Sequence, residues 1–171
     1  MKHQAWIAIG GNQGDVLKNF LSAYQHIHHH SQCRIKACSK IYQTPPLGPA
    51  NQPDYFNAVL WIATSFHPKT LLTFLQSIEK QHGRIRQQHW GARTLDLDIV
   101  AFNQLCLNTP NLILPHPEMH KRQFVLKPLC DIDSNWHHPL MNQTADALLQ
   151  QLIKLGESPL PTGTAWSSIS R

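Results

Sequence analysis

A chain of 171 residues with 42% apolar and 15% charged side chains has the length and balance of one packed domain, which excludes a disordered polymer. The four cysteines, Cys33, Cys38, Cys106 and Cys130, form no C-x-x-C pair and are too few for a disulfide scaffold, and the apolar run at residues 5–9 is too brief for a signal peptide, so a reducing cytoplasm is expected. No stretch reaches the ~20 apolar residues of a membrane helix; the net charge of +5 and pI near 9.2 call for an anionic partner, without choosing between nucleic acid, nucleotide and metabolite.

Residues 5–9, ended by Gly10-Gly11-Asn12, predict a buried strand entering a loop. Asp15 is a candidate cap for a helix whose Val16, Phe20, Ala23, Tyr24 and Ile27 share one face, and which ends near His28-His29-His30. Residues 33–43 alternate loosely before Thr44-Pro45-Pro46-Leu47-Gly48-Pro49, whose prolines force a loop. Residues 54–64 are rich in aromatic and β-branched types and predict a long central strand. Pro68 opens a second helix carrying Leu71, Leu72, Leu75 and Ile78, which Gly83 stops. After a polar loop over 84–94, Leu95, Leu97, Ile99, Val100 and Phe102 predict a further strand, and residues 122–131 and 143–155 predict two more helices. This order gives an α+β class: a ferredoxin-like βαββαβ core, an antiparallel sheet with helices packed on it, and additional C-terminal helices. A single domain is expected over 1–155, with 156–171 a loose tail rich in Gly, Pro, Ser and Thr.

The chemistry concentrates in Arg93-Thr94-Leu95-Asp96-Leu97-Asp98-Ile99. Two acids spaced by two on a strand project from one face, and hard oxygen ligands beside a phosphate suit Mg2+. An alternating strand with a solvated polar face has the same spacing, so the neighbours decide. Arg84, Arg86 and Arg93 flank the acids with forked donors matched to phosphate oxygens. Trp90-Gly91 in the same loop suggests a lid. Tyr55 and Asn57 offer a ring to stack on and an amide to read the edge of a flat heterocycle. His116, fixed between Pro115 and Pro117 and close to Arg122, is a candidate phosphate or nucleotide contact. The segment Ile9-Gly10-Gly11-Asn12-Gln13-Gly14 lacks the first glycine of a dinucleotide fingerprint, and no P-loop pattern occurs. The histidines at 26 and 28–30 carry no metal-ligand spacing.

Thr44-Pro45-Pro46-Leu47-Gly48, Asp54-Tyr55-Phe56-Asn57, Glu79 followed by Gly83-Arg84-Ile85-Arg86, Trp90-Gly91-Ala92-Arg93-Thr94-Leu95-Asp96-Leu97-Asp98-Ile99, and Pro115-His116-Pro117 with Arg122 and Phe124 together resemble the hydroxymethyl-dihydropterin pyrophosphokinases of folate biosynthesis. The similarity covers roughly residues 5–155. It implies transfer of the pyrophosphoryl unit of ATP, the co-substrate, to the hydroxymethyl group of a reduced pterin, with release of AMP. It further implies that Asp96 and Asp98 bridge two Mg2+ ions, and that Arg84 and Arg93 are catalytic. Gln76, Glu79, Arg84, Arg86, Trp90, Arg93, Ile99, His116 and Arg122 are then nucleotide contacts. Thr44, Pro45, Pro46, Leu47, Tyr55, Asn57, Trp90 and Phe124 are pterin contacts. The expected partners are these two small molecules, for a monomer that binds neither nucleic acid nor membrane. The rival expectation is a ferredoxin-like RNA-binding module, which fits the topology and pI but lacks a [K/R]-G-[F/Y]-[G/A]-[F/Y] strand.

Overall fold

Alternation of Ala5, Ile7 and Ile9 with Trp6, Ala8 and Gly10 becomes strand β1 (His3–Gly11) in a computed structural model that describes residues 1–46, 51–83 and 93–170. Helix α1 (Val16–His28) follows, capped by the Asp15 carboxylate, which accepts the Lys18 N–H at 3.1 Å. Strands β2 (Cys33–Cys38), β3 (Tyr42–Thr44) and β4 (Tyr55–Thr64) come next. Helix α2 (Pro68–Gln81) starts with proline in its first turn, where the missing N–H costs nothing, and strand β5 (Asp96–Phe102) completes the sheet. The order is β2-β4-β1-β5, antiparallel at every pairing, with β3 added to β4. This is the ferredoxin-like arrangement expected from the element order.

The sheet is covered on both faces. Val16, Phe20, Ala23 and Ile27 of α1 and Leu71, Leu75 and Ile78 of α2 pack on Ile7, Ile9, Leu60, Ile62, Leu97 and Ile99. On the other face, α3 (Gln123–Asp133) and α4 (Ala145–Lys154) bring Val125, Leu126, Leu129, Leu148 and Leu149 against Trp6, Val59 and Val100. Each such side chain, fully buried, contributes about 1.5–3 kcal/mol relative to exposure, so both helical layers stabilise the sheet between them. An RNA-binding sheet leaves one face open for bases. Here α3 and α4 cover the part that holds Trp6, Val59 and Val100.

Two features go beyond the sequence expectation. A hairpin of β6 (Leu107–Asn108) and β7 (Ile113–Leu114) leads to His116, too short to show as a hydrophobic period. The tail after Gly156 does not hang loose. Ile41 and Thr164 exchange both backbone hydrogen bonds at 2.8 Å, and the Trp166 indole packs on Phe20 and Tyr24 while donating to the Ser39 carbonyl at 2.8 Å. A single aromatic anchor outweighs the flexible composition that argued for disorder.

Between α3 and α4, His138 is 4% exposed, and its Nδ1 accepts the N–H groups of Leu140 (3.2 Å) and Met141 (3.1 Å). Burial, reinforced by nearby His120, lowers its pKa below the ordinary 6.5. The unfolded chain therefore takes up the proton first, and this contribution to stability is present above pH 6.5 and lost as pH falls below it. His138→Asn keeps an acceptor oxygen and cannot titrate. Denaturant unfolding from pH 7 to pH 5 is expected to show a smaller loss of stability in His138→Asn than in the wild type; parallel curves would contradict the assignment.

Candidate active site

The face that carries α3 and α4 changes character along each strand. On β1, Trp6 belongs to the core, whereas Ala8 and Gly10 line a cavity of about 590 Å³. On β4, Val59 is core while Asn57 and Tyr55 line the cavity; on β5, Val100 is core while Asp98 and Asp96 line it. Strand register sets these residues side by side. Gly10 pairs with Asn57 on one flank and Asp96 on the other, and Ala8 pairs with Val59 and Asp98. Small residues in the middle strand leave space over the sheet between the amide and the acids. A Cβ on Gly10 would stand 2.8 Å from Asn57 Oδ1, so a larger residue there would displace the Asn57 amide.

Arg93 is fixed by its backbone. Its N–H donates to Asn12 Oδ1 at 2.9 Å, and its carbonyl accepts the N–H groups of Asn12 (2.9 Å) and Gln13 (3.1 Å). Asn12, 2% exposed, also donates from Nδ2 to Gln52 Oε1 and the Pro53 carbonyl, and Asn19 Nδ2 donates to the Thr94 carbonyl. The loop after β1 thus ties the approach to β5 to the approach to β4. From this anchored backbone the Arg93 guanidinium meets Asp96 Oδ2 at 2.5 Å in a partly exposed ion pair. Leu95, Leu97 and Ile99 are buried on the opposite face, which holds the acids outward as the alternation required.

Tyr55, Asn57, Thr44, Pro45, Pro46 and Phe124 line one side of the cavity. Thr44 pairs with Tyr55 across β3 and β4, and Phe124 stands at the start of α3 with the Arg122 guanidinium 5.8 Å from its ring centre. Burial, with Asp96 adding to it and Arg93 opposing, raises the Tyr55 pKa, so the phenol stays neutral at pH 7.

Gln76, Glu79, Ile99 and His116 do not line this cavity. They surround the outer edge of β5, the last strand of the sheet. Glu79, 2% exposed, accepts the Leu97 N–H at 2.8 Å, and the His116 N–H donates to the Val100 carbonyl at 2.8 Å. Ile99 buries its side chain in the α1–α2 core, so only its backbone faces that edge; Gln76 sits half-buried one turn before Glu79. His116 Nδ1 accepts the Glu118 N–H at 3.1 Å, which leaves the ring proton of the neutral imidazole on Nε2. Burial first and Arg122 second lower the His116 pKa, against Glu118 and Asp96, so the ring is a neutral donor at pH 7. Asp96 and Asp98 stand between this edge and the Tyr55–Phe124 side.

Leu47, Arg84, Arg86 and Trp90 lie outside the described residues. Conversely, Asn12, Asn19 and Gln123 hold the site together and were not singled out from the sequence. Asn12 ends a Gly-Gly-Asn turn, a signal that marks a loop but not its far partners. No helix among the described residues is long and apolar enough to cross a membrane.

Comparison with known proteins identifies the family. The family model for 7,8-dihydro-6-hydroxymethylpterin-pyrophosphokinase matches residues 6–134. The 2-amino-4-hydroxy-6-hydroxymethyldihydropteridine pyrophosphokinase of Synechocystis sp. is 38% identical over 161 residues, covering 94% of this chain and 82% of its own. That of Haemophilus influenzae is 39% identical over 158 residues, covering 88% and 97%. That of Bacillus subtilis is 42% identical over 132 residues, covering 77% and 79%. Among solved structures, Plasmodium falciparum HPPK-DHPS superposes with a TM-score of 0.72 at 15% identity, over 89% of this chain and 46% of that one, a likeness of fold. On the strength of the family match and these relatives, the chain belongs to the 7,8-dihydro-6-hydroxymethylpterin-pyrophosphokinase family.

Proposed function

We propose that the Gly10-centred cavity and the adjoining edge of β5 bring together the two substrates of the family reaction. In it the chain transfers the pyrophosphoryl group of ATP to 6-hydroxymethyl-7,8-dihydropterin, a step of folate biosynthesis. The carrying observation is the register that puts Asn57, Gly10 and Asp96 in one row with Asp98 beside them. The pterin ring stacks between Tyr55 and Phe124, with its amide edge read by Asn57 and by the backbone around Thr44 to Leu47. The nucleotide lies along β5, where Gln76, Glu79 and the Ile99 backbone border it, and Arg84, Arg86, Arg93, His116 and Arg122 meet its phosphates, with Trp90 a contact of both substrates, as the resemblance implies.

The two carboxylates fit two Mg2+ ions. Both are hard oxygen donors on one strand face and would hold the metal, with phosphate and water oxygens available to complete its shell. When bound, the metal supplies neutralisation of polyphosphate charge. The pterin hydroxymethyl oxygen bonds to the β-phosphorus, the bond from that phosphorus to the α,β-bridging oxygen breaks, AMP leaves, and the hydroxyl proton is lost. Arg93 moves charge balance from Asp96 toward the departing phosphate oxygens, His116 donates from Nε2, and the stacked ring holds the hydroxyl in line. The active unit is a monomer.

With ATP, Mg2+ and the hydroxymethyl-dihydropterin, chromatography of the nucleotides is expected to show AMP; ADP would contradict the reaction. Asp98→Ala, shown folded by circular dichroism, is expected to lose about a thousandfold in turnover, and activity near wild type would remove the metal assignment. Gly10→Ala pushes Asn57 away from its position and is expected to lower kcat/KM for the pterin about a hundredfold, with binding of a fluorescent ATP analogue retained. Equal loss of nucleotide binding would show instead that the strand itself had been disrupted.

A further inference from the structure

Glu157, Ser158, Pro159, Leu160 and Pro161 line the same cavity as Asp96, Asn57 and Phe124, yet they lie beyond the matched residues 6–134. One buried side chain holds them there. The Gln123 carboxamide, 7% exposed, donates from Nε2 to Glu157 Oε2 (3.1 Å) and to the Ser158 carbonyl (2.9 Å), and its Oε1 accepts the Leu160 N–H at 2.8 Å. Every one of these bonds goes to the segment. None serves helix α3, in whose first turn Gln123 sits.

The far end of the segment is tied as firmly. Gly163 passes so close to β3 that a Cβ there would meet Lys40 Cβ at 2.7 Å and Tyr42 Cζ at 2.9 Å, and the Ile41–Thr164 pairing and the Trp166 anchor follow at once. The stretch from residue 157 to 161 therefore runs from the start of α3 toward the start of β3, where residues 163–166 are tied to residues 39–42; these two elements carry Phe124 and Thr44. Pro159 and Pro161 restrict it to extended backbone, so little conformational entropy is lost in keeping it there. Leu160 is half-buried and supplies the largest apolar side chain of the stretch.

We propose that Glu157–Pro161 is a fixed wall of the pterin half of the cavity, with Gln123 as its positioning residue and Leu160 as the side chain that borders the reduced heterocycle. The wall rests on the pyrophosphokinase reading. It adds a determinant of pterin fit supplied by the C-terminal segment. Because the segment bridges Phe124 and Thr44 and not the outer edge of β5, its effect falls on the pterin and spares ATP.

Steady-state kinetics of the full-length chain with both substrates varied provide the test. Leu160→Ala leaves all three Gln123 bonds in place, since the one at residue 160 uses its backbone N–H and the other two go to Glu157 and Ser158, and is expected to raise the KM for the pterin about tenfold with the KM for ATP held within about twofold. Gln123→Glu sets a carboxylate against Glu157 and is expected to produce the same split, with partial recovery when Glu157→Gln is added. An unchanged pterin KM in Leu160→Ala, or equal rises for both substrates, overturns the wall whatever the fate of the Gln123 variant. Failure of the wild type to form AMP would instead defeat the underlying reaction, and the wall with it.

Discussion

The site depends on one constraint: β1 is flanked by β4 and β5 in a register that places Gly10 between Asn57 and Asp96. A shift of one residue would turn Asp96 and Asp98 into the α1–α2 core and expose Leu97 and Ile99. The burial of Leu95, Leu97 and Ile99 therefore fixes where the carboxylates point, and the absence of a side chain at Gly10 keeps the ground between amide and acid open. The core and the chemistry are two faces of the same strand.

Charge completes what register begins. Acids two residues apart on a strand have Cα atoms roughly 6–7 Å apart, and at an effective dielectric constant of about 20 their repulsion is roughly 2–3 kcal/mol. The Arg93 guanidinium, 2.5 Å from Asp96, opposes that repulsion, and Arg93 is held through its backbone by Asn12 rather than by the ion pair itself. An arginine on an anchored backbone can exchange one anionic partner for another while its Cα stays in place. That is the property the proposed phosphate contact of Arg93 calls for.

Local signals were legible in the sequence. Asp15 as cap, Pro68 at a helix start, Gly83 at a helix stop, and the alternation through Asp96–Phe102 each depend on neighbours in the chain, and the structure follows all of them. Tyr55, Asn57, Asp96 and Asp98 were legible from residue type and Phe124 from the family resemblance, and all five line the cavity. Contacts between distant segments were not legible. Asn12 reaches Arg93 across 81 positions and Gln123 reaches Leu160 across 37, and an amide in a loop or a first helical turn carries no mark of its partner. The composition of the tail is that of a flexible end, and the contacts that hold it, Gln123 to residues 157–160, Ile41 to Thr164, and Trp166 to Phe20 and Tyr24, are all with distant parts of the chain.

The two layers of helix have different consequences for function. Helices α1 and α2 fill one face of the sheet over its length and contribute stability. Helices α3 and α4 cover only the half that holds Trp6, Val59, Trp61 and Val100, and where their cover ends the aromatic core gives way to Gly10, Asn57 and the acids. A ferredoxin-like sheet with that face bare offers a platform for bases; with it wholly covered, it offers no site at all. Partial cover makes a walled cavity at one end, with Phe124 on α3 as one wall and the sheet as its floor. The boundary between core and cavity on a single sheet face is thus what gives a common fold a walled cavity beside a charged strand edge.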